Sequence, residues 1–198
     1  MSKLEIRKLL QVLLGTSFIS LAVTLLITAH KGADTISIFL LGILNIFDIP
    51  FWVASLLFNI IILCIVAIFN RKELGIGSFI NGLGLGLLIG IFEPVMDQVS
   101  VNISWYPIFS ILVAPILFGV GAGIYVSSNK GSAALEALTQ LIFKHTNLSL
   151  KVIRMGLDAT MVIVGMSLGA PIGIGTLICV VTIGPIFEKT MKVLNPTN

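Results

Sequence analysis

Apolar residues run in long unbroken blocks and rarely alternate with polar ones. Six blocks, approximately 9–29, 50–69, 75–95, 107–127, 149–168 and 172–191, are long enough to cross a hydrocarbon core of about 30 Å at about 1.5 Å per residue. Two shorter stretches, 33–47 and 132–145, fall between the first and second and between the fourth and fifth blocks. Their length suits an interfacial or a re-entrant helix. The second is amphipathic, with Leu135, Leu138, Leu141 and Ile142 opposed by Glu136, Thr139, Gln140 and Lys144. The first is more apolar, which points toward re-entry. The pattern predicts an all-α polytopic membrane protein with one membrane domain over 1–198 and six transmembrane helices.

The two halves repeat each other. Ala29-His30-Lys31-Gly32, after the first block, answers Ser128-Asn129-Lys130-Gly131 after the fourth, at an offset of 99 residues. Leu74-Gly75-Ile76-Gly77-Ser78 answers Ile172-Gly173-Ile174-Gly175-Thr176 at an offset of 98, and Gly86 then aligns with Gly184. Between these motifs Asn59 falls opposite Asp158. Repeat 1 spans about 9–97 and repeat 2 about 107–193. Each half holds an odd number of spans, so the second must enter the membrane upside down relative to the first. Inverted repeats of this kind let secondary transporters alternate access around a midplane site.

Composition narrows the class further. Hydrophobic residues make up 57% of the chain and charged residues 11%, against about 25% charged in a soluble domain. The mean hydropathy of +1.10 excludes a water-soluble enzyme and a disordered chain. The net charge of +3 is an orientation signal, with no basic patch for nucleic acid. With the N-terminus inside and six spans, 11 of the 12 basic residues fall on the cytoplasmic side and only Lys31 faces out. Both termini are therefore expected in the cytoplasm. The basic residues Lys3, Arg7 and Lys8 before the first block imitate a signal peptide. The block of 21 residues exceeds a signal core of about 7–15, and it reads as a retained helix. Cys64 and Cys179 lie in apolar stretches and read as buried and inert. No spacing suggests a metal site, a cofactor or redox chemistry.

At these motifs the chain resembles the YczE/YyaS/YitT family of bacterial membrane proteins. Gly-Ile-Gly-Ser-Phe-Ile-Asn at 75–81, Gly-Ile-Gly-Thr at 173–176 and Ile183-Gly184-Pro185 carry the resemblance. Arg154 and Asp158 ahead of Gly169-Ala170-Pro171 carry it too, where the family usually shows arginine and glutamate. The likeness covers nearly the whole chain and is strongest over 119–188. It departs at 32–40, where a Gly-x-Ser-Pro-Trp-Asp-like segment is replaced by Gly32-Ala33-Asp34-Thr35-Ile36. The resemblance implies a multi-pass protein of the bacterial plasma membrane, transporter-like in build.

Asp158 is the sharpest candidate for chemistry. It lies near the middle of the fifth block, where an ionisable side chain is costly and marks a pathway or a partner. Arg154 sits one helical turn earlier on the same face. Either Asp158 binds a proton or a cationic group with Arg154 as its gate, or the pair ties helices together. Asn59 and Asn81 are intramembrane amides, suited to a ligand or to helix contacts. Gly184-Pro185 is expected to kink or break the sixth block, which frees carbonyls for an ion or substrate or simply bends the helix. Glu136 could face a vestibule or only water. Glu93, Asp97 and Glu188, at span ends, read as solvated; His30 and His145 have no catalytic partner in the sequence. The stripes Gly82-Gly86-Gly90, Gly119-Gly123 and Gly165-Gly169 suit close helix packing, a substrate path or self-association.

Two functions fit. One is a small secondary transporter for a small polar solute, or one coupled to protons, within the lipid bilayer. The other is a non-transporting accessory protein that assists another membrane complex. No Walker motif, aspartate pair, Ser/His pair or His-Glu-x-x-His is present, which argues against ATP-driven transport and against an embedded hydrolase.

Overall fold

The computed structural model describes residues 3–194. Among them are eight α-helices and no strand: α1 (Lys3–Ala29), α2 (Thr35–Leu44), α3 (Phe51–Phe69), α4 (Ile76–Asn102), α5 (Tyr106–Ser127), α6 (Ala134–His145), α7 (Leu150–Ser167) and α8 (Ile174–Leu194). The two expected short helices are α2 and α6, and the six apolar blocks are the other helices. Helices α1, α3, α4 and α5 are long and apolar enough to cross a membrane by length and composition. Helix α7 is 18 residues long and contains Lys151, Arg154 and Asp158.

Local chemistry sets the helix starts. The Asp34 side chain accepts from the Ser37 backbone N–H ahead of α2, and Ser149 does the same for Val152 ahead of α7. The Ser78 hydroxyl accepts from the Gly75 N–H at the start of α4. Pro107 stands in the first turn of α5, where its missing N–H is harmless.

Two of these elements differ from expectation. Helix α4 continues through Pro94 to Asn102, so Glu93 is a partly buried residue inside a long helix and not the end of a span. Helix α8 is unbroken from Ile174 to Leu194 with Pro185 inside it. One missing N–H removes one hydrogen bond but not the helix.

At the centre α1 and α5 cross antiparallel. A Cβ on Gly15 would come 2.6 Å from the Gly121 carbonyl oxygen, and a Cβ on Gly121 would come 2.8 Å from the Gly15 carbonyl oxygen. Further along, Thr28 and Tyr106 share a hydrogen bond of 2.6 Å. The glycines let two backbones touch where side chains would hold them apart. Helix α1 also presents Thr16, Ser20, Thr24 and Thr28, all buried, to the interior. Each hydroxyl donates to the carbonyl four residues earlier, so none enters the core unsatisfied.

The remaining helices pack in matched pairs. Helix α4 lies on α1 and α8 on α5, while α2 lies along α7 and α6 along α3. Helices α2 and α7 run parallel: Thr35 bonds Asp158 and Asn45 bonds the Leu168 carbonyl, both 123 residues apart. The loops interlock across the halves. Gly175 N–H donates to the Lys31 carbonyl and Gly77 N–H to the Lys130 carbonyl, both at 2.9 Å. The loop geometry matches as well. His30 and Asn129 have φ of 51° and 52°, and Gly32 and Gly131 have φ of 104° and 121°. Such values favour glycine.

The glycine stripes serve packing inside the chain. Gly82, Gly86 and Gly90 meet Leu63, Leu56 and Trp52 of α3. Gly119 and Gly123 meet Ile186 and Thr190 of α8, and Gly165 meets Ile38 of α2. The self-association expected through these faces therefore loses its surface, because other helices of the same chain occupy them. The outside is apolar, with Ile163, Val181 and Ile108 at 65%, 69% and 62% exposure. That is the inverse of a soluble fold and suits contact with lipid. Cys64, read as buried from the sequence, faces outward, whereas Cys179 is buried.

Candidate functional site

A cavity of about 100 Å³ lies between the halves. Ile19 of α1 and Phe118 of α5, which the repeat offset of 99 brings opposite each other, both line it. The starts of both short helices reach it: Asp34 and Ser37 from α2, and Ala133, Leu135 and Glu136 from α6. Helix α3 contributes Ser55 and Asn59, α4 contributes Asn81, and α7 contributes Arg154.

Arg154 joins the two short helices. Its Nε donates to Asp158 Oδ2 at 3.0 Å and its Nη1 to Glu136 Oε1 at 2.8 Å. Asp158 Oδ1 in turn accepts from the Thr35 hydroxyl at 2.8 Å. The result is a continuous chain, Glu136–Arg154–Asp158–Thr35, running from α6 through α7 to α2. A planar guanidinium suits two carboxylates at once, whereas an ammonium is a point charge. The side chains of Arg154, Asp158 and Glu136 are 38%, 29% and 46% exposed, so water or a solute can reach the chain. Asp34 is 8% exposed, and its carboxylate accepts from both the backbone N–H and the hydroxyl of Ser37.

Five of the seven candidate residues meet here. Asn59, Asn81, Arg154 and Glu136 line the cavity, and Asp158 stands just behind Arg154, outside the lining. Gly184 and Pro185 do not join them. Both are exposed, and a Cβ on Gly184 would meet nothing within 4 Å. This break, expected beside the site, faces away from the protein because Cys179, not Gly184, turns toward the core of α8.

Sequence reading missed Asp34, Thr35, Ser37 and Ser55. The offset of 99 held the signal, since it sets Ser37 opposite Glu136 and Ser55 opposite Arg154. Asp34 and Thr35 fall in the segment where the chain departs from the YczE/YyaS/YitT pattern.

A second, wider depression of about 390 Å³ opens beside the first and shares Ala133 and Glu136 with it. Its walls are polar, with Lys72, Glu73, Asn129 and Gln140 among them. Lys144 of α6 ties to Asn70 at 2.7 Å and to Glu73 at 3.4 Å on the same side.

An all-helical chain with several membrane-length apolar helices, an apolar exterior and a polar cavity inside is a polytopic membrane protein. The chain belongs to DUF6198, a family of unknown function, which it matches over residues 6–192. It is 27% identical over 137 residues to "Uncharacterized membrane protein YczE" of Bacillus subtilis (strain 168), covering 69% of this chain and 63% of YczE. It is 25% identical over 185 residues to "Uncharacterized protein YyaS" of the same organism, covering 91% of this chain and 90% of YyaS. An "Uncharacterized protein" of Haemophilus influenzae is 25% identical over 124 residues, covering 63% of this chain and 56% of that protein. The chain thus spans less than two thirds of the length of two of these relatives. No solved structure matches it.

Proposed function

We propose that the protein is a small secondary transporter of the bacterial plasma membrane, not an enzyme, and that it carries a small polar solute through the cavity between its halves. The observation that carries this reading is a polar cavity lined by residues of both halves, with Arg154 linking the short helices beside it. In this reading the six long helices are six crossings, arranged as two inverted repeats with both termini in the cytoplasm. The antiparallel crossing of α1 and α5 supports inversion, as do the paired bonds Gly175–Lys31 and Gly77–Lys130. The helices α2 and α6 are re-entrant, each bringing its N-terminal end to the cavity. The wider depression at Glu136 is then the cytoplasmic mouth, and the Arg154–Glu136 pair stands between mouth and cavity.

Two measurements test this. Single cysteines at Ser100 and Asn147 in a Cys-free background should label from outside and from inside respectively. Equal labelling of both by an impermeant reagent in intact cells would overturn the six-crossing topology. For transport, proteoliposomes loaded with ethanolamine, glycerol and acetate should release one of these faster than protein-free vesicles do. If none is released faster at any pH tried, transport is overturned and the accessory role stands. That second reading is favoured by one observation, the enclosure of the cavity by packed α1 and α5.

A further inference from the structure

The cavity is lined by hydrogen-bonding atoms that have no partner, and these point to what it holds. Ser55 is 2% exposed and lines the cavity, yet its hydroxyl makes no hydrogen bond among the described residues. A serine in a helix usually gives its proton to the carbonyl four residues back, as Ser20 of α1 does. Asn59 donates its Nδ2 to the Ser55 carbonyl at 2.8 Å, which leaves its side-chain oxygen uncommitted. Asn81 is 3% exposed, and one end of its amide lies 3.1 Å from the Thr16 hydroxyl. That hydroxyl has one proton, held by the Val12 carbonyl at 2.8 Å. The amide orientation that satisfies both atoms turns the NH2 group to Thr16 and the oxygen to the cavity. Three buried polar groups therefore face one small space, two of them as acceptors, and leaving such groups unmade is costly.

Charge points the same way. Asp34 and Glu136 line the cavity with Arg154, and Asp158 completes the group. Three carboxylates face one guanidinium. Lys130 and Lys144, the cations nearest α6 in sequence, are engaged with Glu5 and with Glu73 and Asn70. Phe51, Phe58 and Phe118 supply aromatic walls, and a ring face attracts a cation. An apolar cavity of about 150 Å³ holds benzene, so about 100 Å³ holds a solute of about four heavy atoms.

We propose that the cavity binds a small primary ammonium compound. Its three N–H donors would meet the Asn59 and Asn81 oxygens and the Asp34 side of the site, and any hydroxyl it carries would meet Ser55. This rests on the transporter reading above for its route across the membrane, but not for binding itself.

The test uses the full chain, purified, with ethanolamine, ethylene glycol and acetate as probes. They are similar in size and differ in charge. Ethanolamine should raise the unfolding temperature in a concentration-dependent way, while ethylene glycol and acetate at the same concentrations should not. Ser55→Ala removes a hydroxyl with no partner, so it should leave the apo protein as stable as before and weaken ethanolamine binding about tenfold. Asp34→Asn keeps a helix-capping side chain and should abolish the selectivity for the cation. Equal stabilisation by ethylene glycol, preference for acetate, absence of any ethanolamine effect, or full affinity in Ser55→Ala would each overturn the proposal. Release of glycerol or acetate from proteoliposomes would overturn the ammonium assignment and leave transport standing. Ethanolamine binding without flux would do the reverse.

Discussion

Helices α3 and α7 occupy equivalent places in the two repeats and do opposite things with them. At the offset of 99, Ser55 and Asn59 of α3 correspond to Arg154 and Asp158 of α7. In α7 the two positions are charged and bonded to each other, to Glu136 and to Thr35. In α3 they are neutral, and a hydroxyl and an amide oxygen remain without partners at the cavity. One half is locked and the other is open. A duplicated scaffold thus separates two tasks: an ion-paired helix holds the short helices in place, and its copy is free to contact a ligand.

Breaking the locked half should have the largest effect. Arg154→Leu leaves Asp158 and Glu136 without their counter-charge, and a loss of about 3 kcal/mol is expected, at the low end of the range because the side chains are partly exposed. Chemical denaturation in detergent measures it. The sharper experiment is the double change Arg154→Ser with Asp158→Asn, which makes α7 a copy of α3 at these positions. It should be more stable than Arg154→Leu, because the orphaned carboxylate goes with its partner. A double variant worse than Arg154→Leu would show that α7 needs charge as such.

The axis between the halves gives the next effect. Gly15→Ala places a methyl 2.6 Å from the Gly121 carbonyl oxygen and should cost about 2 kcal/mol by forcing α1 and α5 apart. Loss of accumulation in the membrane, or a lower midpoint of unfolding, reads it out. Where the halves are alike, the effects should be alike. Gly32→Ala and Gly131→Ala both put a side chain at positive φ against the opposite half's motif, and each should cost about 1–2 kcal/mol. A large difference between them would show that the matched loops are not equivalent in energy.

The smallest effect belongs to the tethers at the far ends of the short helices. Asn45 bonds the Leu168 carbonyl and Lys144 bonds Asn70, again 99 residues apart from each other. Truncating either to alanine should cost about 1 kcal/mol. If Lys144→Ala alone changes access of a thiol reagent to Gln140→Cys, the second tether also limits opening of the wider depression.

Hydrophobic block lengths located every helix, and the repeat offset matched the loop motifs that later proved to interlock. Both follow from the chain alone, since membrane-length apolar runs and paired Lys-Gly and Gly-x-Gly signatures are local features. The pairing of Asn59 with Asp158 was legible for the same reason. What the sequence could not reveal is which half each short helix packs on. Helix α2 lies along α7 and α6 along α3, so the cavity is assembled from segments far apart in the chain. That exchange brings Asp34, Ser37 and Ser55 to the site and leaves Gly184-Pro185 on the outer surface. Composition and periodicity decide that a segment is a helix and how deep it lies. Only the packing of glycine against backbone, and of Arg154 between two helices, decides which faces meet, because those contacts depend on three-dimensional fit.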